Sequence, residues 1–444
     1  MRFYNRENEL DKLKKIQEYS LKSAQFTILV GMRRVGKTML IQEFFKHQKY
    51  PTLYFFVARK EESLLVEDYL NEIKEKLSIF IPGGICTFRD VFELLLHTSK
   101  TIPFTLMIDE FQDFKRINSS VYSSIQNLWD QYKHSSNMNL IVAGSIYSNM
   151  QKLFTDDKEP LFGRADYQIH LKPFKPTVLK EILNSEVSEW SNDDLLALYC
   201  TTGGIARYVE FIMKEQTEHV FNRRQMYETI ISESSFFIEE GNHLLISEFG
   251  RKYDIYYSIL SCIAAGKNSQ AEIEHTLSGI SIGMYLKKLI EEYEIIERIL
   301  PIRSKRGTKK VKYQIKNIFL RFWFRYFDKY RSLIEIGNYE KLREIVISDY
   351  ETYSGKILES YFCSSLSDTN QYTDIGSWWN EKDGTDEIDI VAINSLEKHV
   401  LIAEVKRNEK RYEHSKFLLK VNQLVQKEFK DYSVETKLFT LKDM

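Results

Sequence analysis

The chain has 444 residues, 43% of them apolar, and 62 basic residues stand against 63 acidic ones. That length suits roughly two to four domains with cores of their own, and a net charge of −1 leaves any attraction to phosphate to local fields. Seven prolines and no low-complexity segment exclude long disordered linkers. The cysteines at 86, 200, 262 and 363 have no metal spacing and read as reduced core thiols. The first residues, Met1-Arg2-Phe3-Tyr4-Asn5-Arg6, form no apolar signal, and no run approaches the ~18 residues of a membrane span. The expectation is a cytoplasmic protein with no membrane partner.

The apolar run Phe26-Thr27-Ile28-Leu29-Val30 predicts a strand, and Met39 to Phe45 predicts a helix. Between them lies Gly31-Met32-Arg33-Arg34-Val35-Gly36-Lys37-Thr38, which fits G-x-x-x-x-G-K-[ST] without a gap. In that context its backbone N–H groups and the helix N-terminus face an anion. Lys37 is expected to reach the β and γ phosphates, and the Thr38 hydroxyl to bind Mg²⁺.

The continuous apolar run Phe104 to Ile108 suits a strand buried on both faces of a parallel sheet. It ends in Asp109-Glu110, with Asp109 suited to a magnesium shell and Glu110 to polarising water. A third run, Leu140 to Gly144, ends in Ser145, placed to sense the γ-phosphate or to serve as an ordinary strand-end hydroxyl. A fourth strand is expected over Tyr167 to Leu171, after Gly163-Arg164.

The order GMRRVGKT, TLMIDEFQ, LIVAGS, PLFGRADY, LKPF and CTTGGIARYV resembles the archaeal-type ATPases of the AAA+/STAND-like P-loop group. The resemblance implies an additional strand between the P-loop strand and the Asp109 strand, ATP as the nucleotide, and hydrolysis with Glu110 as base. It implies Ser145 as sensor and Arg164 as an arginine finger, a role suited to a permanently charged fork. A structural salt bridge is the other reading of Arg164. The group's GG-x-P turn reads Gly203-Gly204-Ile205-Ala206 here, without its proline.

Residues 253 to 318 read as a winged helix-turn-helix, with helices over Tyr253–Ala265, Gln270–Leu277 and Ile282–Tyr293 and wing strands over Ile295–Ile302 and Val311–Ile315. Within the wing, Arg303, Lys305, Arg306, Lys309, Lys310 and Lys312 form a local positive field fit for DNA, or a solvated hairpin tip. The aromatic stretch Ile318 to Phe327 has the spacing of a buried connector.

Residues 350 to 444 resemble the same group's restriction-endonuclease-like domain, of the PD-(D/E)XK class. A helix over Tyr350–Leu366 carries Glu359, a strand over Glu387–Ile393 carries Asp389, and a strand over His399–Val405 brings Glu404 and then Lys406. Residues two apart on a strand point the same way, so Glu404 and Lys406 can share one site. Asp389 and Glu404, with Glu359 from the helix, offer the hard oxygens Mg²⁺ prefers, and Lys406 can orient or deprotonate water. The class proline is absent, since Ile388 precedes Asp389. Trp378-Trp379 read as packing against the sheet rather than as a base-stacking pair.

The expected architecture is α/β: a P-loop ATPase core over 1–175, a helical lid over 176–248, a winged helix over 249–318, a helical connector over 319–349 and the nuclease-like domain over 350–444. The leading expectation is an ATPase coupled to a metal-dependent DNA nuclease, with Arg164 serving its own subunit or a neighbour in a homo-oligomer. The rival is a nucleotide switch that binds DNA or protein without cutting. A transcription regulator using the winged helix alone leaves Asp389, Glu404 and Lys406 unexplained.

Overall fold

The computed structural model describes residues 3–144, 147–216, 220–250, 253–304, 311–379 and 387–444. They form two compact units, Phe3–Lys172 and Pro173–Met444.

The first unit is built on five strands, β1 Gln25–Gly31, β2 Thr52–Phe56, β3 Phe104–Asp109, β4 Met138–Ala143 and β5 Tyr167–Leu171. They pair in parallel in the order β2-β3-β4-β1-β5. Every residue of β1, β3 and β4 is buried, the reason these strands are continuous apolar runs rather than alternating ones. Phe26, Ile28 and Val30 join one core and Leu29 the other, so the sheet separates two packed layers of helices. β4 lies between β1 and β3, as the additional strand expected from the resemblance. Parallel pairing puts the ends of β1, β3 and β4 on one edge, so Gly31, Asp109 and Gly144 emerge together.

In the second unit, helices Pro176–Glu186, Asn192–Thr202, Ala206–Glu215, Arg223–Ile230 and Phe237–Phe249 come first. Helices Tyr253–Ala264, Gln270–Thr276 and Gly283–Glu291 follow, then an antiparallel hairpin of β6 Ile296–Ile299 and β7 Lys312–Ile315. The basic residues Lys305, Arg306, Lys309 and Lys310 lie outside the described residues.

The aromatic connector is core: Phe319, Phe322, Trp323, Phe324, Tyr326 and Phe327 are all buried. The Trp323 indole N–H donates to the Ile238 carbonyl at 2.7 Å. Gly241 admits that ring, since a Cβ there would stand 2.1 Å from it. Cys86 is exposed, which corrects its reading as a core thiol: it lies in the loop before the helix Phe88–Thr98, where no layer covers it.

The chain ends with the long helix Tyr339–Asp368, strands β8 Asp374–Trp379, β9 Glu387–Asn394 and β10 His399–Val405, the helix His414–Glu428 and β11 Ser433–Phe439. The sheet order is β11-β10-β9-β8, with β8, β9 and β10 antiparallel and β11 parallel to β10. A parallel return needs a crossover, which His414–Glu428 supplies. Trp378 and Trp379 are buried, 5% and 4% exposed. The turn end of the hairpin is tied to this sheet: Ile302 N–H donates to the Ser377 carbonyl at 2.8 Å, and the Lys312 ammonium stands 4.4 Å from the Trp379 ring centre. No helix among the described residues is long and apolar enough to cross a membrane.

Candidate functional sites

At the edge of the first sheet, the loop from Gly31 to Gly36 joins β1 to the helix Lys37–Lys46. Gly36 is left-handed at φ 102°, and Gly31 passes so close to β5 that a Cβ would stand 2.5 Å from the Leu171 carbonyl oxygen. Glycine is required at both for that reason. Arg34 also takes a positive φ, 66°. The Lys37 ammonium is buried and donates to the carbonyls of Gly31 at 2.8 Å and Met32 at 3.1 Å. It is thus held along the loop whose amides would wrap a phosphate. The exposed Arg33 side chain and the buried Val35 complete the turn.

Thr38 and Asp109 meet as the spacing suggested: Thr38 Oγ1 donates to Asp109 Oδ2 at 3.4 Å. The same oxygen accepts a shorter bond, 2.6 Å, from the Tyr54 hydroxyl on β2. Burial and the Asp109 carboxylate push the Tyr54 phenol well above its ordinary range, so it remains a donor. Glu110 takes φ 54°, a conformation uncommon for residues with a side chain. Its N–H donates to Asp109 Oδ1 at 2.9 Å, and its own Oε2 accepts from Gln112 Nε2 at 2.5 Å. Ser145 lies outside the described residues.

Arg164 is a correction for its own subunit. It precedes β5, whose first residue, Tyr167, is in register with Thr27 near the start of β1. The P-loop leaves the far end of β1, about 13 Å away at the rise of a strand. The guanidinium donates to Asp130 at 3.2 and 3.4 Å and to the Phe162 carbonyl at 2.8 Å. Arg164 therefore stands at the opposite edge from its own nucleotide loop, in the salt bridge that was its other reading.

The second cluster lies at the end of β9 and β10. The ladder pairs Ile390 with Ala403, and its next step sets Asp389 opposite Glu404. A bulge between Gly376 and Trp378 interrupts the β8–β9 ladder beside Asp389, the kind of irregularity that re-aims a side chain. The Lys406 ammonium lies 2.8 Å from Glu404 Oε1 and 3.3 Å from Asp389 Oδ2. Asp389 Oδ2 also accepts from the Val405 N–H at 2.8 Å. Burial raises the Asp389 carboxyl despite Lys406 beside it. Burial opposes the charge of Lys406, yet Glu404 and Asp389 hold its pKa above the ordinary lysine value.

Glu359 is close enough to feel these charges, but it does not close a ligand set. Burial first, then Asp389 and Glu387, pushes its carboxyl up to about 8. Among the described residues no three His, Cys, Asp or Glu side chains converge on one point that could hold a metal ion. The three-carboxylate shell of Glu359, Asp389 and Glu404 is thus not assembled, and Lys406 pairs with Asp389 and Glu404 instead. A cation fits the remaining pair, since Glu404 Oε2 is buried without a hydrogen-bond partner among the described residues and Mg²⁺ is commonly held by one or two carboxylates plus waters.

Three polar residues at these sites have no clear signal in the sequence. Tyr54 hides in a strand that reads as ordinary apolar alternation, and Gln112 follows the acidic pair by two positions. Lys420, on the crossover helix, donates to the Glu387 carbonyl at 3.0 Å and stands 3.8 Å from Glu404; no spacing rule connects it to β10.

Comparison with known proteins divides along the same lines. Residues 3–212 match the family model described as an ATPase domain predominantly from Archaea. Residues 323–418 match one described as Archaea bacterial proteins of unknown function. An uncharacterised protein of Methanocaldococcus jannaschii is 27% identical over 413 residues, 91% of this chain and 87% of that one. Among solved structures, the Walker-type ATPase of Pyrococcus abyssi aligns with TM-score 0.55 at 19% identity, covering 73% of this chain and 96% of that chain. The ORC2 protein of Aeropyrum pernix, solved with ADPNP and ADP, aligns with TM-score 0.50 at 12% identity, covering 78% and 96%. These likenesses concern the fold. Residues 3–212, which hold the P-loop and its acidic strand end, are thus similar to an archaeal-type ATPase domain, and residues 323–418 to a family without assigned function.

Proposed function

We propose that this protein binds and hydrolyses ATP at residues 31–38 and thereby controls a metal-dependent DNA nuclease site formed by Asp389, Glu404 and Lys406. The observation that carries the nuclease half is the pair of opposed carboxylates on β9 and β10 with Lys406 between them and Glu404 Oε2 unpartnered. The order of helix, three antiparallel strands, crossover helix and parallel strand agrees with the restriction-endonuclease-like reading of residues 350–444.

In the ATPase, Lys37 neutralises the β and γ phosphates, Thr38 and Asp109 hold Mg²⁺, and Glu110 takes the proton from the attacking water. A bound Mg²⁺ supplies charge stabilisation on the phosphoryl oxygens. In the nuclease, Asp389 and Glu404 hold the cation, and Lys406 steadies the charge that develops on phosphorus. The hairpin, held to this sheet through Ile302 and Lys312, brings DNA towards it. Arg164 then acts only across a homo-oligomer interface. A cytoplasmic setting goes with this reading.

The test is cleavage of supercoiled and linear DNA with Mg²⁺ or Mn²⁺, with and without ATP, beside Asp389→Ala. Metal-dependent cutting that the substitution removes, with ATP hydrolysis retained, supports the reading. Equal inertness of both proteins on every DNA form refutes the nuclease half. One observation favours a second reading, a switch that binds without cutting: Lys406 already neutralises both carboxylates. Under that reading DNA binding depends on ATP, and Asp389→Ala leaves it unchanged.

A further inference from the structure

The acidic strand end is followed by Gln112, 3% exposed and in the one-turn helix Phe111–Asp113. Its Nε2 donates to Glu110 Oε2 at 2.5 Å. The other end of the same amide, Oε1, is buried and has no hydrogen-bond partner among the described residues. It points at the end of β4, where a Cβ on Gly144 would stand 2.2 Å away. A glutamine is an expensive way to fill such a space, because each unpaired amide atom is desolvated without compensation. Glu110 itself takes an uncommon backbone conformation at φ 54°, and the Gln112 amide holds one of its carboxylate oxygens.

We infer that Gln112 is a positioning residue for ATP hydrolysis: its amide N–H clamps one oxygen of Glu110, while its carbonyl end packs against the end of β4. The inference rests on Glu110 being the base. A general base acts only within hydrogen-bond reach of the proton it takes, and a carboxylate free to rotate spends most of its time elsewhere. Gly144 belongs to the same arrangement, since any side chain there would displace the amide.

The experiment uses the full chain with Mg²⁺ and ATP. Gln112→Met keeps the volume and removes both polar atoms; Gln112→Asn keeps the amide but withdraws it by one methylene, and is read in the same way should the first variant fold poorly. The expected result is a fall in kcat of roughly 10- to 100-fold, within the range general-base catalysis contributes. Affinity for ATP, measured by direct binding, and thermal stability should stay close to wild type. Glu110→Gln serves as the control and should abolish turnover while ATP still binds. Unchanged kcat in both Gln112 variants, with Glu110→Gln inactive, overturns the positioning role alone. Loss of ATP binding in parallel with kcat overturns it too, because that is what a packing role gives. A fully active Glu110→Gln removes the base, and the inference with it.

Discussion

The Arg407 guanidinium lies 2.8 Å from Asp193 Oδ1, joining the residue after Lys406 to the start of the helix Asn192–Thr202. Asp193 also accepts from the Tyr350 hydroxyl at 2.9 Å and pairs with Arg223. Arg407 in turn donates to Ser354 at 2.7 Å and lies over the Tyr350 ring. One carboxylate thus fixes the chain immediately beyond the second cluster. Asp193→Ala leaves two guanidinium groups without this partner, and removing one member of a partly buried pair is costly. Thermal or denaturant unfolding of the full chain should show a loss of about 2–4 kcal/mol, with Arg407→Ala losing less. A variant as stable as wild type would assign the pair to the solvent.

Tyr54→Phe removes the 2.6 Å bond to Asp109 Oδ2 and nothing else of similar strength. Asp109 then turns more freely. The Mg²⁺ concentration that half-saturates ATP hydrolysis should rise roughly 3- to 10-fold, corresponding to about 1 kcal/mol, while kcat at saturating Mg²⁺ changes little. An unaltered Mg²⁺ dependence would show that Thr38 and the Glu110 N–H suffice to orient the carboxylate.

Lys420→Ala withdraws the second cation from Glu404. Lys406 already lies 2.8 Å from the same oxygen, so DNA cleavage should fall only about 3- to 10-fold, against complete loss in Asp389→Ala. This follows from the weaker Coulomb term at the longer 3.8 Å distance. Equal losses in both variants would place Lys420 at the reacting phosphate.

Asp328 gives a pH prediction. Burial pushes its carboxyl up to about 6 from an ordinary 3.8, against the pull of Arg331, and the Tyr257 hydroxyl donates to it. The folded state therefore holds this proton more tightly than the unfolded state. Its contribution to stability is complete below an ordinary carboxyl pKa and is lost as pH rises through about 6. Asp328→Asn removes that dependence. Its Tm should exceed wild type at pH 7 by the equivalent of about 1–2 kcal/mol, a figure reduced for partial exposure. At pH 4 the two should nearly coincide. A constant difference at both values would mean that titration is not involved.

Arg164 predicts a mixing experiment. From the far edge of its own sheet it can serve only another subunit, so Arg164→Ala combined with Lys37→Ala should regain ATPase activity in a mixed oligomer. The mixture offers interfaces with one intact P-loop facing one intact arginine. Mixtures no more active than their separate components would leave Arg164 in its bridge to Asp130.

Local pattern alone determined the nucleotide loop, because GMRRVGKT needs only a strand before it and a helix after it, both readable from hydrophobic periodicity. The same holds for β3 with Asp109, for β5 over Tyr167–Leu171, and for the burial of the Phe319–Phe327 aromatics. Tertiary structure decided which of the distant residues meet. Tyr54 reaches Asp109 because β2 pairs with β3, and Lys420 reaches Glu404 because the crossover helix returns over β10. Arg164 is carried away from its own P-loop because β5 runs parallel to β1, which sends its start to the opposite edge. Glu359 shares a neighbourhood with Asp389 but not a ligand set, while Lys406 pairs with both Asp389 and Glu404. Sequence spacing records which side chains share a strand or a helix face, but contacts between separate elements depend on pairing order and direction, and those are settled only when the sheet packs.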